Sequence, residues 1–178
     1  DSSLNGLGRI ARERPELLEA DFAILGEPSN AEIEGGCNGT IRVDVALRGR
    51  RAHSARAWMG VNAIHATAPV LERLAAYVPR EVEVDGLVYR ESLSAVGITG
   101  GVAGNVIPDE CVVHVNYRFA PSRNGAEALA HLEQLFEGLP VEITVADLAE
   151  GARPGLDAPL AQQFVAAVGA EARPKYGW

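Results

Sequence analysis

Four side chains in this 178-residue chain are of types and in settings that do chemistry: Glu27, His53, Asn105 and Arg118. Glu27 follows the apolar run Ala20-Asp21-Phe22-Ala23-Ile24-Leu25 in the turn Gly26-Glu27-Pro28-Ser29. A carboxylate delivered at the end of a buried strand is well placed to act on a ligand, and the same acid serves equally as a turn or helix-cap residue. His53 sits in Gly49-Arg50-Arg51-Ala52-His53-Ser54, with Arg48 and Arg56 on either side, and taken alone it reads as a surface histidine. Asn105 precedes Val106-Ile107-Pro108, where asparagine suits a left-handed turn. Arg118 closes an alternating run, and its guanidinium matches a carboxylate in bidentate geometry or pairs with a surface acid. The chain has no G-x-S-x-G, H-E-x-x-H, Walker or G-x-G-x-x-G pattern, because Gly100-Gly101-Val102-Ala103-Gly104 has the wrong spacing and leads into a strand. Cys37 and Cys111 are too few and too far apart for a disulfide framework or a metal knuckle, and they are expected to be reduced thiols.

The elements that must position these groups follow from periodicity. Leu4, Leu7, Ile10 and Ala11 recur at helical spacing up to Pro15, and Ala20 to Leu25 reads as a short buried strand. From Thr40, Ile41, Val43, Val45 and Leu47 alternate with Arg42, Asp44 and Arg48, which predicts a half-buried strand. Val61, Ile64, Ala68, Leu71, Ala75 and Val78 predict a helix bent at Pro69. Strands are expected at Leu93 to Ile98, Val112 to Phe119 and Val141 to Val145, with helices at Ala126 to Phe136 and Asp157 to Val168. From Thr40 to Ala149 the order is β-α-β-β-α-β, the plan of an antiparallel four-stranded sheet with two helices on one face.

Composition bounds the partners. Hydrophobic residues make up 47% and charged residues 22%, as in an ordinary globular protein, and no apolar run reaches the ~18 to 20 residues of a bilayer crossing. Sixteen Lys and Arg against 24 Asp and Glu give a net charge of −8, which opposes nucleic acid and anionic membranes and favours a small-molecule or protein partner. The sign is uneven: Asp1 to Glu34 holds eight acids and three Arg, whereas Gly39 to Gly60 holds five Arg against Asp44. That second segment is expected to be a local positive surface against the overall sign.

Taken together, Leu25-Gly26-Glu27-Pro28-Ser29, Gly49-Arg50-Arg51-Ala52-His53-Ser54, Gly60-Val61-Asn62-Ala63-Ile64, Gly104-Asn105-Val106-Ile107-Pro108 and Asn116-Tyr117-Arg118 resemble, in order and spacing, one family. It is the dinuclear-zinc amidohydrolase family of succinyl-diaminopimelate desuccinylase, acetylornithine deacetylase, aminoacylase and carboxypeptidase G. The segments Asp21 to Ser29 and Glu34 to Thr40 resemble the desuccinylases most. The resemblance implies an α+β lid, residues 40–149, inserted in a zinc-peptidase catalytic domain represented here by residues 1–39 and 150–178. It implies a homodimer formed through the lid and a cytoplasmic enzyme with two zinc ions, cobalt being an alternative metal. The expected reaction is hydrolysis of N-succinyl-LL-2,6-diaminopimelate, a polycarboxylate, to succinate and LL-2,6-diaminopimelate. Related deacylases or dipeptidases, and a non-catalytic dimerisation module, are the alternatives. By the same resemblance Glu27 is a metal ligand, His53 polarises the scissile carbonyl in the partner subunit's site, and Asn105 and Arg118 contact substrate. The family's H-x-D motif, bridging aspartate, Glu-Glu pair and C-terminal zinc histidine have no counterparts here. The chain is therefore expected to be an internal part of a longer enzyme, inactive and poor at binding zinc by itself.

Overall fold

The computed structural model of the chain describes residues 6–177. The opening Ser-rich turn, Leu4 as the first apolar position of the opening helix, and Trp178 lie outside the described residues. In chain order the elements are α1 Gly6–Glu13, β1 Ile33–Gly35, β2 Gly39–Arg48, β3 Ala52–His53, α2 Ala63–Ala66, α3 Ala68–Ala75, β4 Glu81–Val84, β5 Leu87–Arg90, β6 Ser92–Gly100, β7 Val106–Ile107, β8 Glu110–Phe119, α4 Gly125–Leu135, β9 Val141–Ala149, α5 Pro159–Val168 and β10 Ala172–Pro174. Two 3₁₀ turns, Pro15–Leu18 and Ser54–Met59, complete the set.

Strands β6, β8, β2 and β9 form one antiparallel sheet in that spatial order, which realises the β-α-β-β-α-β plan. The alternation in β2 decides its register: Ile41, Val43, Val45 and Leu47 are all buried, opposite Tyr117, Val115, Val113 and Cys111 of β8. Val70 and Leu74 of α3, with Ala128, Leu132 and Phe136 of α4 and its C-cap, cover that face, so both helices lie on one side. Each such apolar side chain removed from water contributes about 1.5 to 3 kcal/mol, which makes this layer the core of the molecule. The opposite face carries Arg42, Asp44, His114, Asn116 and Arg118 and is not covered by a helix.

Three expectations are corrected. The helix between Val61 and Val78 is two short helices meeting at Thr67, with Asn62 capping the first through bonds from the N–H groups of Ile64 and His65 at 2.9 and 3.3 Å. Its apolar positions Val61, Ile64, Leu71 and Val78 point outward, and Ala63, Thr67, Val70 and Leu74 are the buried set. Both stripes are at helical spacing; the inner one wins because Ala63 is small and the Thr67 hydroxyl is satisfied by the Ile64 carbonyl at 2.7 Å. The run Ala20 to Leu25 is not a strand, and Leu25 is 81% exposed. A buried strand needs neighbours on both edges, and no described strand pairs with it.

The third correction adds elements. Between α3 and β6 the chain makes a hairpin, β4 to β5, through Asp85-Gly86, whose positive φ values of 49° and 82° are those of a type I′ turn. Its Tyr89 hydroxyl donates to the Gly35 carbonyl at 2.6 Å, tying the hairpin to β1, which pairs in parallel with β10. Cys37 and Ala152 exchange backbone hydrogen bonds at 2.8 and 3.0 Å. Among the described residues no helix is long and apolar enough to cross a membrane.

Candidate active site

At the outer end of the sheet the chain leaves β2 through Gly49, whose N–H donates to the Asp109 carbonyl at 2.7 Å. A Cβ on Gly49 would stand 2.1 Å from the Val61 carbonyl oxygen, so only glycine allows this close approach. Arg50 and Val61 then exchange two backbone bonds of 2.9 Å, and β3 pairs with β7, setting His53 opposite Val106. The next bond, Ser54 N–H to the Asn105 carbonyl at 2.9 Å, brings the loops that carry His53 and Asn105 together. The turn Ser54–Met59 begins on His53, whose Nδ1 accepts from the Ala55 N–H at 3.1 Å. Trp58, in the same turn, is 79% exposed.

Three arginines of this end, Arg48, Arg50 and Arg51, are engaged within the chain. Arg48 pairs with Glu110 at 2.9 Å and Glu142 at 3.2 Å, Arg51 with Asp109 at 2.9 Å, and the Arg50 Nε donates to the Met59 carbonyl at 2.8 Å. The hydrogen bond from Arg51 holds the Asp109 carboxyl below the usual carboxylate range. Arg42 pairs with Asp147 at 2.6 Å on the open face of the sheet. The expected positive surface around His53 is therefore largely neutralised by its own acids.

The other end of the sheet holds the remaining candidates. Arg118, the penultimate residue of β8, lies beside Gly177, where a Cβ would stand 3.0 Å from its Nη1. Lys175 reaches both Glu27 at 2.9 Å and Glu34 at 2.5 Å. Burial opposes its charge, but the bonds it donates to Glu34 and Glu27 prevail and lift its pKa above the ordinary lysine value. It is the one lysine among the sixteen cations of the sequence, a signal that composition carried and motif reading passed over. Cys37 lies in the same electrostatic neighbourhood, its thiol pushed up by burial against the opposing pull of Lys175 and Arg118. Both cysteines are free.

Glu27 is half exposed, and its partner is a lysine rather than other acids or histidines. Among the described residues no three His, Cys, Asp or Glu side chains converge on a point. A catalytic zinc takes three protein ligands, so the donors in this chain do not by themselves fit one.

The sequence candidates thus fall at two places, His53 with Asn105 through the Ser54 bond, and Glu27 with Arg118 in the shared surroundings of Cys37 and the Lys175–Gly177 segment. The pairs lie at opposite ends of β8, because Asn105 precedes its start at Glu110 and Arg118 is its penultimate residue. Eight residues of strand at ~3.3 Å each separate those ends by roughly 26 Å.

Comparison with known proteins bears on the whole arrangement. Residues 35–144 match the peptidase dimerisation domain of the M20 type. A Mycobacterium tuberculosis protein with the provisional name succinyl-diaminopimelate desuccinylase DapE is 57% identical over 178 residues, which is 100% of this chain and 50% of that protein. The succinyl-diaminopimelate desuccinylase of Corynebacterium glutamicum is 48% identical over 98% of the chain and 48% of its own length. The chain thus spans about half the length of the curated relatives it matches. Two solved structures share the fold at low identity. An M20 family metallo-carboxypeptidase of Sulfolobus solfataricus has a TM-score of 0.67 and 14% identity over 99% of this chain and 62% of that one. A Staphylococcus aureus tripeptidase has 0.66 and 21% over 97% of this chain and 48% of that one.

Proposed function

The chain belongs to the M20 peptidase dimerisation domain family, and from that premise we propose that it is the central part of a metal-dependent amidohydrolase acting on N-succinyl-LL-2,6-diaminopimelate. Residues 40–149 form the lid, and residues 1–39 and 150–178 are portions of the catalytic domain. The full-length protein pairs as a homodimer and works in the cytoplasm on a small polycarboxylate. The names of the Mycobacterium and Corynebacterium relatives support the substrate, succinate and LL-2,6-diaminopimelate being the products.

The observation that carries the reading is the separation of the two candidate pairs along β8. Groups at opposite ends of a strand roughly 26 Å long cannot act on one amide bond, whereas a two-fold dimer can bring the His53 end of one subunit to the Glu27 end of the other. The surface for that pairing is at hand. Strand β6 is an edge of the sheet and exposes Val96 and Ile98, while Ile64 and Leu71 face outward on the adjoining helices. Gly100 of β6 lies against Ile64, so edge and helix form one apolar patch.

In the assembled site His53 donates to the oxyanion that develops on the scissile carbonyl, Asn105 orients the acyl group, and Arg118 binds a substrate carboxylate. Two zinc ions belong to the catalytic domain of the full-length protein, with Glu27 one carboxylate ligand and the remaining ligands supplied by residues outside this chain.

Steady-state kinetics of the full-length, metal-loaded protein test the proposal. The succinylated substrate should exceed N-acetylornithine and simple dipeptides in kcat/KM by about a hundredfold or more. Preference for either competitor would move the protein to the deacylases or dipeptidases. Absence of turnover on all three, with the dimer intact, would leave a pairing module.

A further inference from the structure

A backbone N–H can donate and never accept. The 3.1 Å bond from the Ala55 N–H to the His53 Nδ1 therefore places a lone pair on Nδ1, and a neutral imidazole with a lone pair there carries its proton on Nε2. The bond is built into the backbone: His53 is the residue that opens the turn Ser54–Met59, and its ring closes back on that turn. His53 is itself pinned by the β3 to β7 pairing and by the Ser54 to Asn105 bond. Its side chain is exposed, so the Nε2 edge is open to a partner.

We propose that the Ala55 backbone N–H is a positioning element that holds His53 in the Nε2–H tautomer, presetting the outer end of the lid as a hydrogen-bond donor rather than a base. This rests on the reading above, in which His53 meets the developing oxyanion. A donor to an oxyanion must hold its proton before the reaction begins, and one fixed by a neighbouring amide needs no reorganisation at that moment. The same lock excludes His53 from taking a proton through Nε2, so the base that activates water lies elsewhere.

Histidine-selective ¹⁵N labelling of the full-length dimer reads the tautomer directly, with the His53 signals identified by their loss in His53→Gln. The expected spectrum, at a pH where the ring is neutral, has a protonated Nε2 and an unprotonated Nδ1; a protonated Nδ1 overturns the proposal. Ala55→Pro removes the donor and also fixes φ at that position. It should move both nitrogen shifts toward an average and lower kcat by about tenfold with KM little changed, whereas Ala55→Gly, which keeps the N–H, should keep the wild-type pair of shifts. Unaltered shifts in Ala55→Pro overturn the lock. Averaged shifts with unaltered kcat leave the lock standing and remove His53 from the oxyanion. Should Ala55→Pro fail to fold, the wild-type spectrum still decides the tautomer.

Discussion

The backbone N–H of Ser54 donates to the carbonyl of Asn105 at 2.9 Å, so the loops that follow β2 and β6 converge immediately next to the two residues expected to touch substrate. Residues held by one clamp act as a unit. In the full-length enzyme His53→Ala should lower kcat by roughly 10²-fold with a smaller change in KM, the loss expected for one oxyanion donor. The double variant with Asn105→Ala should lose less than the product of the two single losses. Thermal melts of the same proteins check the alternative, since a merely structural histidine would lower Tm and leave turnover of the folded enzyme intact.

Separation along β8 makes a prediction about mixed dimers. His53→Ala and Glu27→Ala subunits are each expected to be inactive, but random pairing gives heterodimers with one intact site of two, restoring roughly a quarter of wild-type activity. Recovery is measured after co-expression with two affinity tags. Adding Ile98→Lys, which puts a charge on the exposed β6 edge, should abolish both dimer and recovery.

Arg118 differs from Arg48 and Arg51 near His53, which already pair with acids of the same chain. Arg118→Lys keeps the charge and loses the bidentate fork, so KM for the succinylated substrate should rise by about tenfold. Arg56→Ala should change it by less than about threefold. Equal small effects would show that recognition of the carboxylates lies outside this chain.

Tyr89 makes the fold sensitive to alkali. Burial raises its hydroxyl pKa from 10.0 to about 12. Between those values the folded state keeps a proton the unfolded chain has released, so its contribution is complete below the unfolded pKa and is lost as pH rises through the window. Tyr89→Phe should cost about 1 kcal/mol at neutral pH by deleting the bond to Gly35, and should flatten the decline of stability in alkali. Urea unfolding across that pH range measures both.

The sheet was legible because one of its faces is buried and the other is not, which leaves a period of two in Ile41 to Leu47 and in Val113 to Phe119. The helix after β2 was legible in place but not in rotation, since Val61, Ile64 and Leu71 form a stripe as apolar as the one that meets the sheet. That outward stripe has its own use if a second subunit covers it. The hairpin left a plain mark, Val84-Asp85-Gly86-Leu87 between alternating residues, but its strands are four residues each and easily passed over. Two-residue strands such as β3 and β7 have no period to read, although they are what joins His53 to Asn105. The segment Ala20 to Leu25 has the composition of a buried strand, and burial is a property of neighbours as much as of sequence.

The paired backbone bonds between Cys37 and Ala152 put the approach to β2 and the exit from β9 side by side. On the proposed division, a lid of residues 40–149 that starts and finishes at one doorway can be removed or exchanged without altering the distance the catalytic domain must bridge. Gly36, Gly39 and Gly151 leave no room there for a Cβ, the Gly36 position lying 2.4 Å from the Ala152 carbonyl oxygen. A graft of another lid onto this frame should therefore be cut outside those glycines, with the doorway carried over whole.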